Sequence, residues 1–213
     1  DFCWQEHIRH CGFQGETADR IGRAMMESPQ WSEIDRGVWS MEKLLAAFIA
    51  NDPALEDEIR TVFKDLSTLL RERSGSVPWI RSLKAEGYRA YYLSNFSARV
   101  EKEAAKELSF LKEMDGGILS YREHLIKPDP AIYRLLMDRY GLKAEESVFL
   151  DDTPANVLTN EVIADKAYLK KTSLYDLAVR CGIPEPSQFV ERFIHHERGQ
   201  REGGGRNGKN SDL

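Results

Sequence analysis

From Trp4 to about Arg73 the apolar positions recur at helical spacing, with almost no strand pattern. In MEKLLAAFIA, Met41, Leu44, Leu45 and Phe48 share one face; in PALEDEIRTVFKDLSTLL, so do Leu55, Ile59, Val62, Phe63, Leu66 and Leu70. Side chains three and four positions apart stack on one side of a helix, so this pattern predicts a helical domain over residues 1–75. The period changes at SGSVPWIRSLKAEGYRAYYLSNFS. Pro78 suits a first helical turn, Gly87 can end that helix, and YRAYYL reads as a buried strand. A helix (ARVEKEAAKELSFLKEM) and a short strand (GGILS) follow, then a helix opened by Pro130 and closed near Gly141, and a strand, SVFLDD. KAYLKK is a weaker strand and SLYDLAVRCGI a last helix.

Strands separated by helices of this length form parallel βαβ units, which predicts a doubly wound, Rossmann-like α/β core over 76–185. Ligands of such sheets sit beyond the carboxyl ends of the strands. Ser94 and Asn95 follow YYL there, and Asp151 and Asp152 follow VFL. Residues 186–213 combine glycine and charge without apolar periodicity and read as a flexible tail, in which His195 and His196 are expected to be solvated.

At 213 residues, 41% hydrophobic and 31% charged, the chain has the composition of a globular protein with room for one core and a smaller accessory domain. A net charge of −5 with no basic cluster argues against nucleic acid as a partner. No apolar run approaches the roughly 18 residues of a membrane span and no leader is visible, so no membrane partner and a cytoplasmic location are expected. Cys3, Cys11 and Cys181 are odd in number and lack CxxC spacing, which suits reduced thiols.

Three sites could carry chemistry. Ser94, at a strand end before a helix, could donate to a phosphate oxygen, or Ser94 or Ser97 could simply cap that helix. Lys127, between an apolar residue and Pro128, could present a fixed positive charge to the crevice or lie on the surface; Asp129 suits a helix cap before Pro130. Asp151 and Asp152 repel each other unless a cation joins them, which suits Mg2+, or else they form a solvated turn. A hydroxyl, a lysine and an acidic pair at successive segment ends together describe a phosphate and metal site along one crevice.

In that order and spacing, YYLSNFS, LIKPDPAIY and SVFLDDTPANV resemble the second, third and fourth motifs of the haloacid dehalogenase-like (HAD) hydrolase superfamily. The helical block containing WSEIDRGVWSMEKLLAAF is similar to the cap of its phosphatase-type branch, subfamily IA, and the likeness extends over about residues 1–183. The resemblance implies a Mg2+-dependent phosphatase acting on a small phosphorylated metabolite. Ser94, Asn95 and Lys127 would bind phosphate, with Ser94 and Lys127 taking part in catalysis; Asp151 and Asp152 would hold the metal, and Asn156 would brace their loop. The cap would choose the leaving group; Trp31, Trp39 and Tyr121 either line its pocket or belong to the core. The acidic pair separates this pattern from the metal-free 2-haloacid dehalogenase branch, whose fourth motif is similar to a serine-containing loop.

The same family attacks phosphorus with the first aspartate of a DxD motif ending the first strand, and no such motif occurs in these 213 residues. DFCWQEHIRHCGF resembles the beginning of the cap instead, and Asp1 lacks both a preceding strand and a second aspartate. Without a central first strand, each unmet buried backbone group would cost about 1–3 kcal/mol. The chain is therefore expected to be part of a longer parent whose nucleophile lies upstream, and to show no turnover by itself. Alternatives are a dehalogenase-type hydrolase and an inactive phosphate-ester-binding protein, as monomer or homodimer. LTNEVIADKAYLKK lacks the glycine the family carries there, so the 158–171 region is expected to differ.

Overall fold

The computed structural model describes residues 3–72, 75–151, 153, 155 and 156. Asp152, Cys181, the KAYLKK and SLYDLAVRCGI segments, the 158–171 region and the tail with its two histidines lie outside the described residues.

Up to Leu70 the described chain is helical: α1 (Cys3–His10), α2 (Gly15–Ala24), α3 (Trp31–Arg36), α4 (Met41–Asn51) and α5 (Glu56–Lys64). Ser40 starts α4 by accepting the Lys43 amide at 3.2 Å, which satisfies one of the free donors of a first turn. Leu44 and Phe48 then face inward, and Phe48 meets Phe63 edge-on with ring centroids 5.7 Å apart. Burying a side chain of this size contributes about 1.5–3 kcal/mol, so this face dominates the packing of the helices. The long apolar run after Pro53 does not continue as one helix. Asp65 turns extended and its Oδ1 accepts the Ser67 amide at 2.8 Å, ending α5 and starting a separate 3-10 turn at Ser67–Leu69. Leu66 and Leu69 stay buried across the break. His7 is a core residue: Nε2 donates to the Val62 carbonyl at 3.1 Å, so Nδ1 can accept from Thr68 Oγ1 at 2.6 Å. Burial lowers the His7 pKa, which favours that neutral form.

Next come α6 (Ser76–Ala85), with Pro78 in its first turn, and then β1 (Tyr91–Ser94), α7 (Ala98–Glu103), β2 (Gly116–Leu119), α8 (Ser120–Glu123) and α9 (Pro130–Tyr140). β1 starts three residues later than YRAYYL suggests, because Ala90 is held outside the ladder: its amide donates to Asp115 Oδ2 and its carbonyl accepts the Asp115 amide, both at 2.8 Å. The strands pair in parallel, Tyr91 with Gly116 through Ser94 with Leu119. The helix expected over ARVEKEAAKELSFLKEM is broken. It stops at Glu103 and continues as kinked 3-10 turns over Ala105–Glu113, while Glu103 and Glu107 accept the amides of Leu66 and Glu72, each at 2.7 Å. Asp129 caps α9 through the Ala131 amide, and Gly141 ends it at φ 59°, a left-handed conformation that suits glycine.

SVFLDD is the main departure from the expected strands. Ser147 is extended, but among the described residues nothing forms a ladder with 147–151, so the described sheet has two strands. Extended apolar sequence becomes sheet only when a neighbour takes up its backbone hydrogen bonds. Phe149 packs edge-on against Tyr133 at 5.3 Å, and Val148 and Leu150 remain exposed. The larger apolar cluster joins the helical block to Phe96, Val100, Ala104 and Leu119, and Trp31, Trp39 and Tyr121 pack against it. The smaller cluster, Ile118, Ile132 and Tyr133 with Leu93 and Phe149, lies beneath the strand ends. No helix among the described residues is long and apolar enough to cross a membrane.

Candidate functional site

The site is built where β1 and the 147–151 segment end. Ser97 is the residue that caps α7, its Oγ accepting the Val100 amide at 3.1 Å, so Ser94 is not required for capping. The Ser94 hydroxyl makes only a long 3.4 Å contact to the Asn95 carbonyl. Asn95 holds Lys127 from both sides: Oδ1 accepts the Lys127 amide at 2.7 Å and Nδ2 donates to the Lys127 carbonyl at 2.9 Å. This side chain ties the end of β1 to a turn in which the Lys127–Pro128 peptide is cis.

The fixed backbone delivers the Lys127 ammonium to Asp151, with Nζ 2.5 Å from Oδ2 and the two side chains only 10% and 6% exposed. The other carboxylate oxygen, Oδ1, accepts the Thr153 amide at 2.8 Å and Asn156 Nδ2 at 2.9 Å. Asn156 is itself buried, and its carbonyl accepts Tyr133 Oη at 2.8 Å. Burial, and then the negative charge of Asp151, push the Tyr133 phenol well above its usual range, so it remains a donor. Ser94, Asn95, Lys127, Asp151 and Asn156 are thus linked through one hydrogen-bonded chain, while Asp152 lies outside the described residues.

A carboxylate offers about four lone-pair positions, and three donors occupy those of Asp151, which leaves room for one further ligand. Oxygen donors of this kind suit Mg2+, which commonly takes one or two carboxylates and completes its shell with water and phosphate. Among the described residues no three His, Cys, Asp or Glu side chains converge as a metal cage. The donor set fits a shared site of that open kind.

Two residues here escape the sequence patterns. Ser120, fully buried, donates from Oγ to the Asp35 carbonyl at 2.6 Å and accepts the Phe96 amide at 2.8 Å. It joins α3 to the end of β1. Its only sequence signal is its place, a small hydroxyl residue just after GGIL. Asp35, in the last turn of α3, has its carboxyl pushed up to about 7 by desolvation, which the positive charge of Lys127 partly opposes. An acid just before Arg36-Gly37 at a helix end is an ordinary surface pattern, which hides it.

Ser120→Ala is expected to lower stability by about 2–3 kcal/mol in urea unfolding, since it orphans a buried amide and a carbonyl together. A loss below about 0.5 kcal/mol would show that both groups find other partners.

A family model of haloacid dehalogenase-like hydrolases matches residues 5–161. Among solved structures, a HAD family enzyme of Bacteroides thetaiotaomicron, in complex with magnesium and inorganic phosphate, superposes with a TM-score of 0.56 at 18% identity, over 77% of this chain and 82% of that one. A second crystal structure of that enzyme gives 0.55, with the same identity and coverage. At this identity the likeness shows the fold, an α/β architecture with a parallel sheet. Among curated proteins, an ABC transporter ATP-binding protein of Lactobacillus johnsonii is 43% identical over 54 residues, which is 25% of this chain and 9% of that protein. Another, from Clostridium perfringens, is 47% identical over 51 residues, 24% of this chain and 9% of that protein. The chain therefore spans only 9% of the length of these curated relatives. The family match takes in most of the chain, including every described residue of the site, and the chain belongs to the haloacid dehalogenase-like hydrolases.

Proposed function

We propose that this chain carries the phosphate and Mg2+ side of a phosphomonoester hydrolase of the phosphatase-type subfamily IA, acting on a small phosphorylated metabolite in the cytoplasm. The observation that supports this best is the buried Lys127–Asp151 pair, oriented from both sides by Asn95. A desolvated lysine held this way is a point charge ready for phosphate oxygens, because no reorganisation is needed when the anion arrives. Ser94 would donate its hydroxyl to the same phosphoryl group, with the Asn95 loop alongside. Asp151 would hold the metal with Asp152 beside it, and Asn156 keeps the Asp151 carboxylate in place through Oδ1. Mg2+, when bound, supplies positive charge against the phosphate oxygens. In this reading residues 1–75 are the cap and 76–185 the core.

The attacking carboxylate, which would form an aspartyl-phosphate, is assigned to a DxD segment outside the 213 residues, which contain no such motif. That absence also favours a second reading, a phosphate-ester-binding protein without turnover. Hydrolysis of p-nitrophenyl phosphate separates the two. The chain alone is compared with the chain joined to an apolar strand ending in DxD, each with and without Mg2+. Turnover in the joined, Mg2+-supplied protein only is the expected result. Phosphate binding without turnover in either favours the second reading. Lack of inorganic phosphate binding to both, or metal-free chloride release from 2-chloropropionate, would overturn the phosphate reading.

A further inference from the structure

Among the described residues, His124 is the one non-glycine with a positive φ, at 57°. It ends α8 in the left-handed conformation, where a Cβ crowds the backbone and glycine or asparagine is the usual occupant. Ending a short helix therefore accounts for the backbone but not for a histidine. The imidazole does what glycine cannot: Nδ1 lies 2.9 Å from the Arg36 carbonyl, and since that oxygen can only accept, Nδ1 carries the proton. Arg36 Nη1 returns a long 3.5 Å contact to the His124 carbonyl. His124 is exposed, so these contacts, and not burial, hold its ring.

Together they clasp the helical block to the chain leading into Lys127. On one side is the last turn of α3, where Ser120 Oγ also reaches the Asp35 carbonyl at 2.6 Å and a Cβ on Gly37 would stand 3.0 Å from the Tyr121 carbonyl oxygen. On the other side Lys127 follows His124 by three residues. Asn95 grips the Lys127 backbone from the end of β1, which fixes where the lysine sits. The direction from which the chain arrives there is set upstream, at the left-handed turn. A residue in such a conformation persists only where its surroundings hold it, and such residues gather where a defined geometry is used.

Resting on the phosphate reading above, we infer that His124 is a positioning residue for Lys127. Its ring, bonded to the end of α3, holds the turn that aims the ammonium at Asp151 and at the phosphate beside it. The helical block thereby contributes to phosphate affinity through the Arg36 carbonyl.

Calorimetric titration of the chain with inorganic phosphate, paired with urea unfolding, separates aim from stability. His124→Gly removes the ring but suits the left-handed backbone, so its unfolding midpoint should stay near that of the wild type. Its phosphate affinity should nevertheless fall about 5-fold, the scale of one lost hydrogen bond. His124→Asn tolerates the same backbone, and its Nδ2 is as many bonds from Cα as the histidine Nδ1, so it should bind phosphate within about 2-fold of the wild type. If the glycine variant does not fold, His124→Ala is read in its place against the same asparagine variant. Equal phosphate affinity with and without the ring, or an asparagine variant as weak as the glycine one, would overturn the inference. If inorganic phosphate does not bind the wild type, the proposed function falls and this inference with it; if it binds the wild type and every variant alike, only this inference falls.

Discussion

Lys127→Met is expected to destabilise the fold by about 3–5 kcal/mol and to abolish binding of inorganic phosphate. The ammonium and the Asp151 carboxylate are 90% or more buried as side chains, so removing the cation strands a desolvated charge that water cannot reach. Oδ1 keeps its two N–H donors, from Thr153 and Asn156, which holds the loss to this range. Urea unfolding measures the stability term. The double variant Lys127→Met/Asp151→Leu separates charge from packing: with both charges gone it should recover at least about 2 kcal/mol of the single variant's loss. Strict additivity of Lys127→Met and Asp151→Leu would show that the pair contributes nothing as a pair. Unimpaired phosphate binding in Lys127→Met would remove the main support for the proposed function.

Gly117→Ala should cost about 3 kcal/mol or more, a large effect for one methyl group. Gly117 faces Tyr92 across the parallel ladder, and a Cβ there would stand 2.3 Å from the Tyr92 carbonyl oxygen and 2.4 Å from its Cγ. A backbone oxygen in a ladder cannot rotate away, so the strands must part. The amide and carbonyl of Gly117 also bond the Tyr140 hydroxyl, at 2.8 and 3.1 Å, and those contacts would move with the strand. Because Ser94 and Asn95 end β1, weakened phosphate binding should accompany the loss. Gly141→Ala is the control: its φ is 59°, nothing lies within 4 Å of an added Cβ, and only the left-handed backbone is penalised, by about 1 kcal/mol. Equal effects of the two substitutions in urea unfolding would show that the clash at Tyr92 is relieved at little cost.

The two glycines illustrate what a linear pattern can convey. Gly141 announces itself by ending a helical period, whereas Gly116 and Gly117 read only as part of a short strand. Their need for a missing side chain arises from Tyr140 and Tyr92, which are distant in sequence or on another strand. Helices α4, α6 and α9 were legible because their signals are local: the apolar spacing of α4, and Pro78, Asp129 and Gly141, which act within one turn. The breaks at Asp65 and after Glu103 were not, since the carboxylates of Glu103 and Glu107 are drawn to amides more than 30 residues away. SVFLDD has strand character but, among the described residues, no ladder partner.

By itself the sequence determined the family, the helices whose caps and apolar spacing are local, and the motif positions Ser94, Asn95, Lys127, Asp151 and Asn156, because each of these is encoded by neighbours within a few positions. Only the tertiary structure decided that Ser97 and not Ser94 caps α7, that Asn95 grips Lys127 across 32 residues, and that Ser120 ties the Asp35 carbonyl to the Phe96 amide. Those contacts depend on which buried polar groups lack a partner once the chain has closed, and that need does not exist until packing removes the water.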